Sequence, residues 1–465
     1  MSSPEQVDQL KLQLKWDPEP IRATANACNG CGLCRSRGNE LRMCPVFRFV
    51  SDEIASPRAK ANLMQGVLNG QLELDALTDS VMKAAADYCL NCQTCRVECP
   101  AGVDVPYLAF RGRAAYAAAH GMLFTDLFFS KIDSVLKCFA LLGFPLNFLL
   151  GNRLFRWLVE KTVGIPQGRK LPRLARIPYL SKVAWSRRLT RPQRRGETRI
   201  ALFVDTYANY CDTRLPEIAV KVLEHQGFQV LVPPRQQSSG LAAIAGGHRD
   251  RVEQIAAKNI AVYADLVRQG YKIVTIEPAA AVCFQHEYQR ISPDSETSLI
   301  AENTIDLCTF LYQTHLEGRL RLNFQPLHAT LGYHAPCRSI VLSGENSGMP
   351  TAAELLLHLI PGLEVRRLER GCCGLAGTFG LKKANYPMSL RLGVRLFSAL
   401  RDTNIQAGAT DCSACKMQME QGTDKRTFPP IKILAASYGL APDFLEELDK
   451  SERHRYALPR LSTTK

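Results

Sequence analysis

Several things are missing or scarce in this sequence, and each absence narrows what the chain can be. It has no uninterrupted run of about 18 apolar residues, so a membrane-spanning helix is not expected. The nearest approach, "VLKCFALLGFPLNFLL" from Val135 to Leu150, is short and carries Lys137, Pro145 and Asn147. The opening "MSSPEQVDQLKLQLKWDPEP" has no apolar signal core, and without secretion disulfides are not expected. There is no nucleophile elbow, no phosphate loop and no flavin-binding sequence; "GTFGLKK" has glycines without the P-loop spacing. The chain alone is therefore not expected to oxidise an organic substrate, and no catalytic residue is assigned. Acidic residues are outnumbered, 44 Asp and Glu against 58 Lys and Arg, for a net charge of +14. That balance favours an anionic partner, such as a membrane surface, an acidic protein or an acidic substrate. No nucleic-acid-binding motif accompanies the charge, so nucleic acid is not an expected partner.

Cysteine, by contrast, is abundant: 17 in 465 residues, a length that suggests two to four domains. Thirteen of them fall in tight clusters, which points to metal rather than disulfides. Cys28, Cys31 and Cys34 form C-x2-C-x2-C, and nine residues separate Cys34 from Cys44-Pro45. Cys89, Cys92 and Cys95 repeat the run, with Cys99-Pro100 after three more residues. This is the two-cluster bacterial ferredoxin pattern. By analogy with it, Cys28, Cys31, Cys34 and Cys99 are assigned to one [4Fe–4S] cluster, and Cys89, Cys92, Cys95 and Cys44 to a second. Structural zinc is the competing reading, but zinc sites use paired knuckles rather than triplets ending in Cys-Pro. Between the triplets, "SPRAKANLMQGVLNGQLELDALTDSVMKAAADY" reads as two helical segments, which suggests an all-α ferredoxin domain.

From Leu108 to about Glu160 the pattern is helical and unusually apolar. Arg169 to Arg195 then carries ten Lys or Arg and no acid, broken by Pro172, Pro178 and Pro192. It reads as a connector or surface strap. Two readings stay open for this middle segment. One is a helical pair packed on the core with a solvated basic linker. The other is a peripheral surface for a membrane or partner, because apolar faces beside Arg clusters bind anionic headgroups.

The C-terminal half alternates strands and helices, implying parallel α/β units. "TRIALFVDT", "FQVLVP" and "YKIVTIEP" read as strands, with "PEIAVKVLEHQG" and "RDRVEQIAAKNIAVYADLVRQG" as helices. The pattern then restarts with "ATLGYHAPC", "TAAELLLHLI" and "LEVRRLE". Laid together, Thr206 falls on Cys337, Ser238-Ser239-Gly240 on Cys372-Cys373-Gly374, and Ala280 near Cys412 and Cys415. The first repeat thus keeps the frame of a metal site with hydroxyls and methyls in place of thiolates, and is not expected to hold a cluster. Cys138, Cys211, Cys283 and Cys308 read as ordinary buried thiols. The second repeat offers five thiolates, Cys337, Cys372, Cys373, Cys412 and Cys415, where a cubane or zinc needs four. The fifth suggests a non-cubane iron–sulfur cluster, with zinc plus a spare thiol, or a redox disulfide, as alternatives. His334, three residues before Cys337, is read as supporting the ligands rather than as catalytic.

These residues resemble the CCG-domain (cysteine-rich) family of Fe–S oxidoreductases, over about Ala25 to Leu440. "HAPC", "CCGLAGTFGLKKANYPMSLRLG" and "DCSACKMQME" followed by "PIKILAASYG" carry the resemblance, together with the N-terminal "CNGCGLC" and "SPRAKANLMQG". The family includes the iron–sulfur subunits of glycolate, D-lactate and anaerobic glycerol-3-phosphate dehydrogenases, the Fe–S part of FAD-linked 2-hydroxyacid oxidases, and heterodisulfide reductase subunits. The resemblance implies an α-helical ferredoxin domain over 1–107, a helical basic connector over 108–197, a degenerate first CCG repeat over 198–325, an intact second repeat over 326–445, and a tail over 446–465. It implies an electron-transfer subunit that draws on a partner FAD-linked dehydrogenase of 2-hydroxyacids (D-lactate, glycolate, D-2-hydroxyglutarate) or glycerol 3-phosphate, with a quinone as an acceptor. The location implied is cytoplasmic, peripheral on the cytoplasmic face of the membrane. Two rivals remain: a heterodisulfide-reductase-like subunit acting on a thiol or disulfide at the CCG cluster, and a zinc-stabilised structural partner. The degenerate first repeat counts against the first of these.

Overall fold

The structure, a computed structural model, describes residues 17–38, 42–140, 143–190, 198–344, 348–368, 371–444, 446 and 448. The readings made on residues 1–16, on Pro192 and on nearly all of the 446–465 tail lie outside the described residues.

The N-terminal part is helical. The two segments expected between the cysteine triplets are helices Pro57–Leu68 and Ser80–Asp87, and both pack on helix Val105–His120. Ser56 caps the first of them, accepting the Ala59 N–H at 2.9 Å, and Pro57 occupies its first turn, where no donor is needed. Ile21, Met64, Leu68, Leu77 and Leu108 fill the core beneath the cysteines.

The apolar middle folds into four short helices, Phe124–Ser130, Ile132–Ala140, Gly143–Leu149 and Arg153–Thr162. Among the described residues no helix is long and apolar enough to cross a membrane. The described part of the basic strap, residues 169–190, is irregular apart from short helices at Tyr179–Ala184 and Arg187–Thr190. Its start is not solvated. Arg169 is buried, donating to Gly380 O at 2.7 Å and Ser389 Oγ at 3.0 Å, and stacks on the Tyr386 ring.

The C-terminal half holds two four-stranded, all-parallel sheets with the same order. β1 (Arg199–Phe203), β2 (Gln229–Leu231), β3 (Tyr271–Thr275) and β4 (Thr304–Asp306) pair as β2-β1-β3-β4. β5 (Ala329–Tyr333), β6 (Leu363–Arg367), β7 (Ala407–Ala409) and β8 (Thr427–Phe428) pair as β6-β5-β7-β8. β1 is a near-continuous apolar run because helices cover both its faces. The two sheets share one core: Ile200, Leu202 and Val274 of one cluster with Leu331, Tyr333 and Ala409 of the other. Strands β4, β7 and β8 were not expected; at two or three residues each they are too short to carry a period.

This topology dictates where chemistry can sit. In an open parallel sheet the chain leaves neighbouring central strands in opposite directions, and a crevice opens at their carboxyl ends. In the second sheet Cys337 follows β5, Cys372 and Cys373 follow β6, and Cys412 follows β7. In the first sheet Thr206 follows β1, Ser238 and Ser239 follow β2, and Glu277 follows β3.

Candidate metal centres

The first triplet wraps a small pocket lined by Cys28, Cys31, Cys34, Cys95 and Cys99, with Met43, Ala61 and Val105 beneath. Gly30 (φ +74°) and Gly32 (φ +75°) take the left-handed turns that fold three sulfurs inward. In the second triplet the same two positions hold Asn91 (φ +52°) and Gln93 (φ +67°), an unusual conformation for residues with side chains. Their side chains explain its persistence. Gln93 Nε2 donates to Asn91 Oδ1 at 2.8 Å and to Glu287 Oε1 at 2.5 Å, and Asn91 Nδ2 donates to the same Glu287 oxygen at 3.3 Å. A carboxylate from the first α/β unit therefore braces the ferredoxin loop.

The structure draws the two cysteine runs together, with members of both assigned sets as neighbours. Cys34 lies among Cys28, Cys44 and Cys99, and Cys95 among Cys44, Cys89, Cys34 and Cys99. Burial pushes the Cys34, Cys44 and Cys95 thiols up, so ionised sulfurs there need a bound cation. Lys60, itself buried, supplies one fixed charge beside Cys44 and donates to Ala55 O at 2.9 Å and Ser56 O at 3.1 Å.

In the C-terminal site Cys337 starts helix Cys337–Ser343, and Cys412 caps helix Ser413–Thr423, whose first turn carries Cys415. Cys372 and Cys373 come from one turn that Gly374 makes with φ +91°. Sequence spacing could not show that the two regions touch. The Cys92 thiol is hydrogen-bonded to Cys337, Cys337 to Cys372, Cys372 to Cys373, Cys373 to Cys415, and Cys415 to Cys412. Along this row the thiols alternate. Hydrogen bonds from their neighbours pull Cys337 and Cys373 well down, and Cys92, Cys372 and Cys415 are pushed up. Buried sulfurs this close repel one another once ionised, so five thiolates together require a metal. His334 is buried, and a ring nitrogen lies within 4.8 Å of the Cys373 and Cys415 sulfurs, beside the Cys373 thiol that it helps to pull down. An all-sulfur set with one spare imidazole suits a soft metal group such as an iron–sulfur cluster.

Two arginines lock the regions together. Arg42 is buried beside Cys337 and Cys372 and donates to Ala335 O at 2.8 Å; burial lowers its pKa. Arg338 donates to Asn91 O at 2.9 Å. Sequence reasoning gave neither a role, although Arg42 lies just ahead of the Cys44-Pro45 pair and Arg338 just after Cys337.

The first sheet's crevice is built differently. Thr206 Oγ1 donates to Asp133 Oδ1 at 2.7 Å, and Ser239 Oγ donates to Asp205 Oδ2 at 2.6 Å. Cys283 is buried against this turn, donating to Ser239 O at 3.0 Å. Two of the thiols expected to be buried are not: Cys138 is exposed and Cys211 only partly covered, because each sits on a helix end facing outward or toward the cavity described below. Asp306, Cys308 and Asp411 form another buried group within 4.8 Å, but its carboxylates are already engaged: Asp306 accepts Thr309 N–H at 3.1 Å and Asp411 accepts the Ser339 hydroxyl at 2.8 Å.

Glu277, buried between the crevices, accepts the Ser413 hydroxyl at 2.8 Å. Burial, with Asp205 nearby, pushes its carboxyl from 4.5 up to about 7. The folded chain therefore keeps a proton there that the unfolded chain gives up, so stability falls as pH rises from about 4.5 to about 7, by roughly 3 kcal/mol. Glu277→Gln is expected to flatten that fall. Urea midpoints at about pH 5.5 and about pH 8 check it: the variant should gain on the parent at the higher pH, and equal gaps at both would refute the assignment.

Comparison with known proteins agrees with this geometry. A 4Fe-4S dicluster domain model matches residues 24–103, and a Cysteine-rich domain model matches residues 331–420. The chain is 29% identical to one of the subunits of the anaerobic glycerol-3-phosphate dehydrogenase of Escherichia coli K12, over 60% of this chain and 68% of that one. It is 22% identical to the E. coli K12 glycolate oxidase iron-sulfur subunit, over 82% and 88%. It is 24% identical to the E. coli K12 D-2-hydroxyglutarate dehydrogenase over 79% of this chain, but spans only 39% of that longer protein. The protein is an oxidoreductase component that carries iron–sulfur clusters, with a 4Fe-4S dicluster domain near its N-terminus and a cysteine-rich domain in its C-terminal half.

Proposed function

We propose that this chain is an electron-transfer subunit, drawing electrons from a partner FAD-dependent dehydrogenase of 2-hydroxyacids or glycerol 3-phosphate and passing them to a quinone at the cytoplasmic face of the membrane. The observation that carries the reading is the unbroken row of sulfurs from Cys92 to Cys412, which joins the ferredoxin part to the cysteine-rich part. Cys28, Cys31, Cys34 and Cys99 would hold one [4Fe–4S] cluster, and Cys44, Cys89, Cys92 and Cys95 a second. Cys337, Cys372, Cys373, Cys412 and Cys415 would hold a third, non-cubane centre. Such clusters, when bound, supply one-electron chemistry that matches a two-electron flavin to other acceptors. The protein's own part is to bury the sulfurs, exclude water, and place Lys60 and Arg42 as fixed charges beside them.

The same reading divides the chain into a ferredoxin domain over 1–107, a connector over 108–197, and duplicated repeats over 198–325 and 326–445, the first having lost its ligands. Matching strand order and the left-handed glycines Gly240 and Gly374 at equivalent turns support the duplication.

Metal analysis of anaerobically purified protein tests the proposal. About twelve irons per chain are expected; about eight irons with one zinc would assign the C-terminal site a structural role. Cys412→Ser should remove one paramagnetic signal and leave the two cubane signals. A colourless, iron-free native protein would end the proposal.

A further inference from the structure

The two crevices open onto one cavity of about 460 Å³, within the range of small-molecule sites. Cys337, Cys372, Cys373 and Cys412 face it from the second sheet, and Asp133, Asp205, Thr206 and Ser239 line it from the connector and first sheet. The remaining wall is strongly apolar and comes from the four connector helices, through residues such as Phe128, Ile132, Leu136, Phe155 and Val159.

Three features restrict the occupant. First, it meets carboxyl groups. Asp133 accepts hydrogen bonds from Thr206 and Ser238, and Asp205 and Glu277 also face the space, while the one basic residue among the described lining, Arg338, is engaged with Asn91 O. Such a site disfavours a carboxylate- or phosphate-bearing molecule and suits a neutral polar head. Second, the long apolar wall calls for an apolar body. Third, the connector helices are apolar on both faces. Helix Arg153–Thr162 turns Phe155 and Val159 inward and leaves Leu154 74% and Trp157 47% exposed. Phe124 and Phe148 are likewise exposed, at 61% and 76%. Lys131, Lys137, Arg153 and Lys161 stand exposed on the same helices. Apolar side chains interleaved with exposed cations fit an anionic bilayer surface, and Phe139, both exposed and in the cavity lining, links the two.

We propose that this cavity binds an isoprenoid quinone from the membrane, its carbonyl head accepting from the Thr206 and Ser238 hydroxyls as they turn from Asp133, beside the cysteine set, and its tail along the connector helices. The inference deepens the electron-transfer reading and rests on it. In this view the ligand-free first crevice has exchanged thiolates for hydroxyls and carboxyls that hold an organic head instead.

The test is calorimetric titration of the anaerobic, iron-loaded full chain with decylubiquinone, alongside palmitate as an apolar anion. Saturable binding of one decylubiquinone per chain is expected, with palmitate at least tenfold weaker. Leu136→Trp, which fills the cavity away from the cysteines, should weaken binding at least tenfold at unchanged iron content; Val159→Trp serves the same purpose if the first variant does not fold. Asp133→Ala should weaken it severalfold. Absent saturable binding, equal binding of palmitate, or binding indifferent to all these changes overturns the inference. Because iron content and the paramagnetic signals are read separately, such a failure leaves the electron-transfer reading standing, and loss of iron would sink that reading instead.

Discussion

Gly374→Ala is expected to cost the C-terminal site its metal while the N-terminal iron stays. Gly374 makes the turn that presents Cys372 and Cys373 together, at φ +91°, where a side chain is strained in any surroundings. The surroundings add a collision. A Cβ there would sit 2.1 Å from Ser389 O and 3.0 Å from Leu392 Cβ. Ser389 cannot yield easily, because its carbonyl accepts from Gln418 Nε2 at 2.9 Å and its hydroxyl from Arg169 at 3.0 Å. Helix Tyr386–Leu400 would have to shift as a body. Strain and overpacking together should cost about 3 kcal/mol or more. Iron content, the third paramagnetic signal and a urea midpoint read the outcome; full iron with an unchanged midpoint would show that the turn does not set the sulfur positions.

The second large effect is expected at Glu98. Its buried carboxylate accepts the Arg42 N–H at 2.8 Å and the Met43 N–H at 2.6 Å, fixing the segment that delivers Cys44. Arg42 in turn reaches Ala335 O, two residues from Cys337. Glu98→Ala would strand two buried N–H groups and leave the buried guanidinium without its carboxylate neighbour, a loss of roughly 3 kcal/mol or more. Glu98→Gln keeps an acceptor oxygen and should lose about half as much. Both metal regions should suffer, since Arg42 spans them. Comparing urea midpoints and iron content of the two variants checks this; equal losses would mean that charge, not hydrogen bonding, holds the joint.

Much of the site was legible because cysteine clusters are local. The triplets, the Cys-Pro pairs and the CCG turn each announce themselves within a dozen residues, and the structure gathers all thirteen sulfurs into neighbouring groups. The longer helices and the five-residue strands were legible for the same reason, as apolar periods within one element. What sequence could not show is contact at long range. Cys92 and Cys337 belong to separate motifs, and nothing local says that they meet. Asp133 looks like one more charge on an amphipathic helix until Thr206 is found against it. Asn91 and Gln93 hide their left-handed turns because the residue types do not advertise them; only Glu287, almost 200 residues later, makes those turns tenable.

That last arrangement bears on how interchangeable the parts are. A loop that relies on a distant carboxylate for its shape is no self-contained cassette. Grafting the N-terminal cysteine module onto another scaffold would demand an acid in the place of Glu287 and an arginine in the place of Arg338. Lineages that reshuffle such modules would have to exchange these residues as a set.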